Sequence, residues 1–175
     1  MVTQTPWLER TFTFDFPLGV FPSLLERFRG TPARLEELVR DVDREIATKR
    51  ISDAWSIQEH AGHLLDLSAL DEKRLKDYLA HAKVLTAADM NNKATYEANH
   101  NANVMENILR EFRRTRLDLA DRLALCSERE VERTALHPRL KMHLRFVDWV
   151  YFMCEHDDHH LARITNLKRT LLKRT

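Results

Sequence analysis

An apolar stripe of helical period runs from about Leu140 to Leu172, with no glycine or proline to interrupt it. Phe146, Val150, Met153, Leu161, Ile164, Leu167 and Leu171 fall on one side of it. A segment with one long apolar face must bury that face against other long elements. The rest of the chain is built the same way: 3 Gly and 5 Pro in 175 residues leave few places to turn. Lys168, Arg169, Lys173 and Arg174 close the segment, where positive charge suits a helix C-terminus.

Three earlier segments offer partners. Phe21 to Phe28 reads as a short helix or the first turns of a longer one, broken and restarted at Gly30-Thr31-Pro32. Thr31 is the expected N-cap there and Pro32 the N1 residue, whose missing N–H costs nothing. Leu35, Leu38, Val39, Val42 and Ile46 carry this first helix to about Lys49. Ser56-x-x-Glu59 is a capping-box pattern and starts a second helix, with Ile57, Ala61, Leu64, Leu67, Leu75, Tyr78 and Leu79 as its stripe, ending near Lys83. Residues 86–103 are polar and partly loop, with Tyr96 the earliest start for a third helix that is firm from Val104 to Leu123. Ser127-x-x-Glu130 predicts one or two further turns, and His137-Pro138 a break. Residues 1–20, with Trp7, Phe12, Phe14, Phe16, Pro17 and Gly19, read as an irregular arm whose aromatics pack on the body.

Four long helices with no convincing strand imply an all-α fold, a four-helix bundle forming one domain over residues 1–175. The short linker before the second helix predicts that helices one and two are antiparallel neighbours. A net charge of +1 argues against nucleic acid as a partner, and no apolar run reaches the roughly 18 residues needed to span a membrane. Cys126 and Cys154 form no CxxC, and nothing before them resembles a signal peptide. They are expected to be reduced thiols in a cytoplasmic protein.

The last helix holds His156, His159 and His160 within seven residues of Glu155-His156-Asp157-Asp158-His159-His160-Leu161. With Phe146 and Ile164 at zero on a helical wheel, His160 falls at about −40°, His156 at about −80°, His159 at about −140° and Asp157 at about +20°. His156 and His160 therefore face inward one turn apart, at a spacing where two imidazoles share a metal ion, and His159 is expected to point away. Asp157 lies in the middle of the apolar face and must be paired or hydrogen-bonded. On the second helix His60 and His63 both lie at the edge of the stripe, and spacing does not choose between them as a third ligand. His81, His100, His137 and His143 fall in no selecting pattern and read as surface or loop.

Trp55-Ser56-Ile57-Gln58-Glu59-His60-Ala61-Gly62-His63-Leu64, then Asp66, together with His156-Asp157-Asp158-His159-His160, resemble the motifs of the DinB-like superfamily of bundle-forming metalloproteins. The arm and Thr31-Pro32-Ala33-Arg34-Leu35 resemble it too, so the likeness covers nearly the whole chain. The resemblance implies an up-down-down-up four-helix bundle, often a homodimer. It implies one divalent metal ion on His63, His156 and His160, choosing His63 over His60; three imidazoles with an open position suit Zn, and are compatible with Ni or Fe. It further implies a small-molecule substrate and, in characterised members, thiol-dependent transferase or isomerase chemistry with a low-molecular-weight thiol as cosubstrate. Where the family usually carries Gln, three residues after the last ligand, this chain has Arg163. A cation there disfavours a bound cation but can hold an anionic substrate group.

The expected function is thus a metal-dependent enzyme with an open coordination position, a transferase or hydrolase acting on small molecules. Glu59 is a candidate general base or support for a ligand, against its capping role, and Asp157 a candidate for orienting a ligand. The competing reading is a non-catalytic bundle, with or without metal, that binds a small molecule or a protein. Other metal families fit worse: an HExxH site needs Glu where Asp157 stands, and Glu97-Ala98-Asn99-His100 is the single complete Glu-x-x-His. The glycines are too few and scattered for a P-loop or a nucleophile elbow.

Overall fold

Proline and asparagine mark some of the helix boundaries in a computed structural model that describes residues 2–173; Arg174 lies outside them. The first expected helix forms in pieces, α1 (Phe21–Arg29), α2 (Thr31–Val39) and α3 (Arg44–Thr48). Pro32 has no N–H to give to the turn before it, so the helical path is interrupted although Gly30 itself keeps helical dihedrals (φ −77, ψ −11). Thr31 is not the cap predicted for it. Its hydroxyl donates instead to Asp157 Oδ2, 2.9 Å away. Asp43 does cap α3, accepting from the Ile46 N–H at 2.9 Å.

Ser56 and Glu59 form the predicted capping box, and the second helix starts where expected. It then divides at Leu67 into α4 (Ile57–Asp66) and α5 (Ser68–Leu79). The connection that follows holds α6 (Lys93–Ala98), bounded by Asn92 and Asn99 at φ 51 and 45, left-handed conformations that asparagine tolerates. α7 (Met105–Ala124) and the short α8 (Glu128–Val131), with its own capping box, come next.

The expectation of no strand is overturned. β1 (Thr134–His137) and β2 (Met142–Arg145) form an antiparallel hairpin with Thr134 opposite Arg145 and His137 opposite Met142. Strands this short carry too little alternation to be read, and the break at His137-Pro138 is the hairpin turn, closed by Lys141 at φ 57. α9 (Phe146–Leu172) consequently begins after β2 rather than near Leu140.

The long helices make a four-helix bundle with α1–α2, α4–α5, α7 and α9 as its members. α1 and α2 pack on α7 and α9, and α4 packs on the same pair from the opposite side. Helices one and two are therefore not the neighbours predicted. α3 and the connector through Trp55 are long enough to carry the chain across the end of the bundle, and of the three pieces of the first helix only α3 packs substantially on α4.

The core has two apolar halves. Leu24, Phe28, Leu75, Tyr78, Leu119 and Trp149 belong to one, and Leu35, Leu64, Ile108, Phe112, Leu161 and Ile164 to the other. Between them along the helices come the buried polar residues Thr31, Asp71, Arg116 and Asp157, one from each member of the bundle. The arm folds over this level: Trp7 packs on Phe152 (ring centroids 5.1 Å), Phe12 on Phe152 (5.1 Å) and Phe16 on Tyr151 (5.2 Å). Arg145 ties it down through the Phe14 and Phe16 carbonyls. No helix among the described residues is long and apolar enough to cross a membrane.

Candidate metal centre

α9 presents His156 and His160 on successive turns, and α4, whose start is fixed by its capping box, presents His63 to them from its last turn. One ring nitrogen from each of the three lies within 4.8 Å of the others. His160 Nε2 and His156 Nε2 are 3.1 Å apart, so two nitrogens already converge on one point. The far side of two of the rings is engaged. His63 Nδ1 meets Thr95 Oγ1 at 3.0 Å, and His160 Nδ1 meets His60 Nδ1 at 2.8 Å. Bonds of that kind fix ring orientation and tautomer, leaving the opposite nitrogen free for a ligand.

Burial keeps these rings neutral. It pushes His63 down to about 4 and His60 to about 3, with neighbouring cationic groups adding to the shift for His60, and it holds His156 and His160 well below the usual imidazole range. A neutral imidazole is the form that binds metal, so the donor set suits a divalent ion of the zinc, nickel or iron type. Trp55 walls the group, with its ring 4.8 Å from His63 and 6.1 Å from His160, while Trp7 closes the other side at 4.9 Å from His156. The three histidines open on a cavity of about 240 Å³ lined also by Arg74, Met90, His137, Arg139 and Phe152.

The supporting candidates fare unevenly. Asp157 is paired as required, to Arg116 and Thr31, and both its oxygens are thereby taken up behind the site. The orienting bonds come instead from Thr95 and His60. Glu59 stays at its cap, held by Arg50 and the Ser56 N–H. Burial raises its carboxyl, but those bonds outweigh it and bring the group down to about 2, too weak for a base at neutral pH. Arg163 is half-buried on the side of His60 and His159, and its charge lowers both.

Three histidines depart from their predicted places. His159 is 6 % exposed rather than outward, because the arm covers it: Gln4 Nε2 donates to its carbonyl at 3.0 Å and Trp7 lies 5.6 Å from its ring. His100 is 4 % exposed, bonded to Asp66 Oδ2 at 2.9 Å, and His137 is 1 % exposed within the hairpin. His81 and His143 are exposed as expected. Thr95 and Arg139 carry no recognisable signal in the sequence, since their places depend on connections whose course no periodicity describes.

The DinB superfamily model matches residues 27–164, a span that includes all three converging histidines. Among solved structures, YfiT from Bacillus subtilis, described as a probable metal-dependent hydrolase with an unusual four-helix bundle topology, superposes with a TM-score of 0.80 at 18% identity. The match covers 93% of this chain and 94% of that one. A comparison with curated proteins finds no match. With the matching model spanning most of its length, the chain belongs to the DinB superfamily.

Proposed function

We propose that this protein is a metal-dependent enzyme of small-molecule chemistry, a thiol-dependent transferase or a hydrolase, with His63, His156 and His160 holding one divalent ion. The observation that carries the reading is the convergence of three neutral imidazoles, two braced from behind by Thr95 and His60, at the wall of a cavity. A bound ion there supplies Lewis acidity and lowers the pKa of a water or thiol beside it. The chain's own residues do the rest. Thr95 and His60 hold the ligand rings in register, Trp55 and Trp7 keep bulk water from the histidines, and the cavity places the substrate against them. The description of YfiT as a hydrolase supports the hydrolase alternative, and two free cysteines agree with a reducing, cytoplasmic setting.

Metal analysis of the purified protein, followed by turnover assays with a low-molecular-weight thiol plus an electrophile and with activated esters and amides, tests the proposal. His63→Ala, His156→Ala and His160→Ala are each expected to lose the metal and the activity. Variants that retain wild-type metal content would overturn it.

A further inference from the structure

The cavity beside the histidines carries positive charge that the protein leaves unanswered. Arg116 is committed to Asp157. Arg74 is 4 % exposed, gives its Nε to the Thr86 carbonyl at 3.0 Å, and has Asp71 near it. Arg139, in the turn of the hairpin, makes no hydrogen bond or ion pair among the described residues. Its guanidinium lies over Trp7 and Phe152, 5.3 and 5.2 Å from their centroids, and its Nη2 is buried without a partner.

A second orphan donor sits two residues away. His137 Nδ1 accepts the Leu140 N–H at 3.3 Å, so its proton is on Nε2, and that nitrogen is buried with no acceptor. Burial, with the charges of Arg74 and Arg139, pushes His137 down to about 3. Arg139 is also close enough to depress His156. Two buried donors facing one cavity, one of them charged, are costly unless something accepts from both. The nearby carboxylates do not fill the place. Burial lifts Asp71 to about 6, with Arg116 and Arg74 opposing, and Asp89 at the cavity wall accepts from the Asn91 and Lys93 N–H groups.

We propose that Arg139 and His137, backed by Arg74, form an anion-binding subsite that anchors the carboxylate, or a similar oxyanion, of a small substrate whose reacting end lies at the histidine cluster. The aromatic rings under Arg139 favour a substrate with an apolar body next to that anionic group. The inference rests on reading the cavity as the substrate site, but not on the metal.

Calorimetric titration with benzoate and with neutral, isosteric benzamide tests it, on the wild type and on Arg139→Gln, Arg139→Lys and His156→Ala. Benzoate is expected to bind about tenfold or more tighter than benzamide. Arg139→Gln should remove that preference. Arg139→Lys, which keeps the charge but not the fork, should retain part of it and covers the case in which Arg139→Gln fails to fold. The preference should survive in His156→Ala, whose metal content separately tests the metal reading. Failure of benzoate to bind, equal binding of the two probes, or a preference lost in His156→Ala but intact in the Arg139 variants would each overturn the subsite.

Discussion

Arg116 on α7 holds both carboxylate oxygens of Asp157 on α9, with Nη1 2.9 Å from Oδ2 and Nη2 3.1 Å from Oδ1, and each side chain is only 3% exposed. The guanidinium is sandwiched by Phe28 (3.9 Å) and Phe112 (4.9 Å), one from each half of the apolar core. Thr31 supplies a further donor to the same carboxylate, so three members of the bundle meet at one polar knot beside His156. Removing one partner strands the other as a buried charge. Arg116→Ala is expected to cost about 3–5 kcal/mol, whereas Arg116→Met with Asp157→Leu should recover much of that loss. Urea unfolding of the single and double variants measures it, and a double variant no better than Arg116→Ala would show that the knot's worth is not electrostatic.

The bracing of the proposed ligand rings predicts a graded effect on metal affinity. Thr95 and His60 touch nitrogens on the far side of His63 and His160. Thr95→Val and His60→Ala are expected to lower zinc affinity by about 10–100-fold without abolishing it, as loss of such outer hydrogen bonds does elsewhere. Loss of a ligand itself, as in His63→Ala, should cost more. Competition with a chromophoric chelator reads the series, and unchanged affinity in both outer variants would place the metal elsewhere.

Much of this site is legible in the sequence because it rests on local rules. The capping box Ser56–Glu59 fixes the start of α4, and with it the height at which His63 meets α9. The wheel places His156 and His160 inward, and it requires a partner for Asp157 that the structure supplies. It fails at His159 because helical periodicity knows only the bundle, and the arm makes a second inside that buries the outer face of α9. The reading of His100 and His137 as surface or loop fails for a related reason. Their burial follows from how the connection between α5 and α7 and the hairpin between α8 and α9 fold back, which is tertiary information. The diagonal placement of helices one and two is hidden likewise, since linker length does not say whether a chain turns back or crosses the end of the bundle.

The neutral histidines make stability depend on pH in a direction that can be worked out. Burial is the main cause in each case: His63 and His159 are brought down to about 4, His60 and His137 to about 3. The unfolded chain takes up these protons near pH 6.5 and the folded chain does not, so this stability is present above about 6.5 and is lost as pH falls toward the folded values. Asp71 runs the other way: raised to about 6 by burial, it favours the folded state as pH falls through its own window. Four histidines outweigh one carboxyl. Each tenfold difference in proton affinity between the folded and unfolded chain is worth ~1.4 kcal/mol, and repulsion among protons on neighbouring rings makes the sum smaller than its parts. Metal-free protein should therefore lose a few kcal/mol between about pH 7 and about pH 5, and bound zinc should oppose that loss. A urea midpoint that stays level across this range would contradict the buried, neutral cluster.

Gly62 links the fold of the long connection to the proposed metal ligands. A Cβ at this position, one residue before His63, would lie 2.2 Å from His100 Cγ, far inside contact distance. In an ordinary exposed helix, replacing glycine by alanine stabilises by about 0.8–1 kcal/mol through propensity. Here the ring of His100 fills that space and is held by Asp66, while the backbone carbonyl of His100 takes a bond from Gln58. Gly62→Ala must push the ring away, and overpacking of this kind costs about 1–3 kcal/mol, which reverses the sign of the helical gain. The displaced segment carries Thr95, so the brace on His63 should loosen and zinc affinity should fall with stability. Gly62→Ala combined with His100→Ala empties the space and is expected to recover the stability that the clash costs, but not the bond to Asp66. Thermal melts and zinc titration of the single and double variants check both halves. A Gly62→Ala protein that melts higher than the wild type, with unchanged zinc affinity, would show that His100 does not hold the connection against α4.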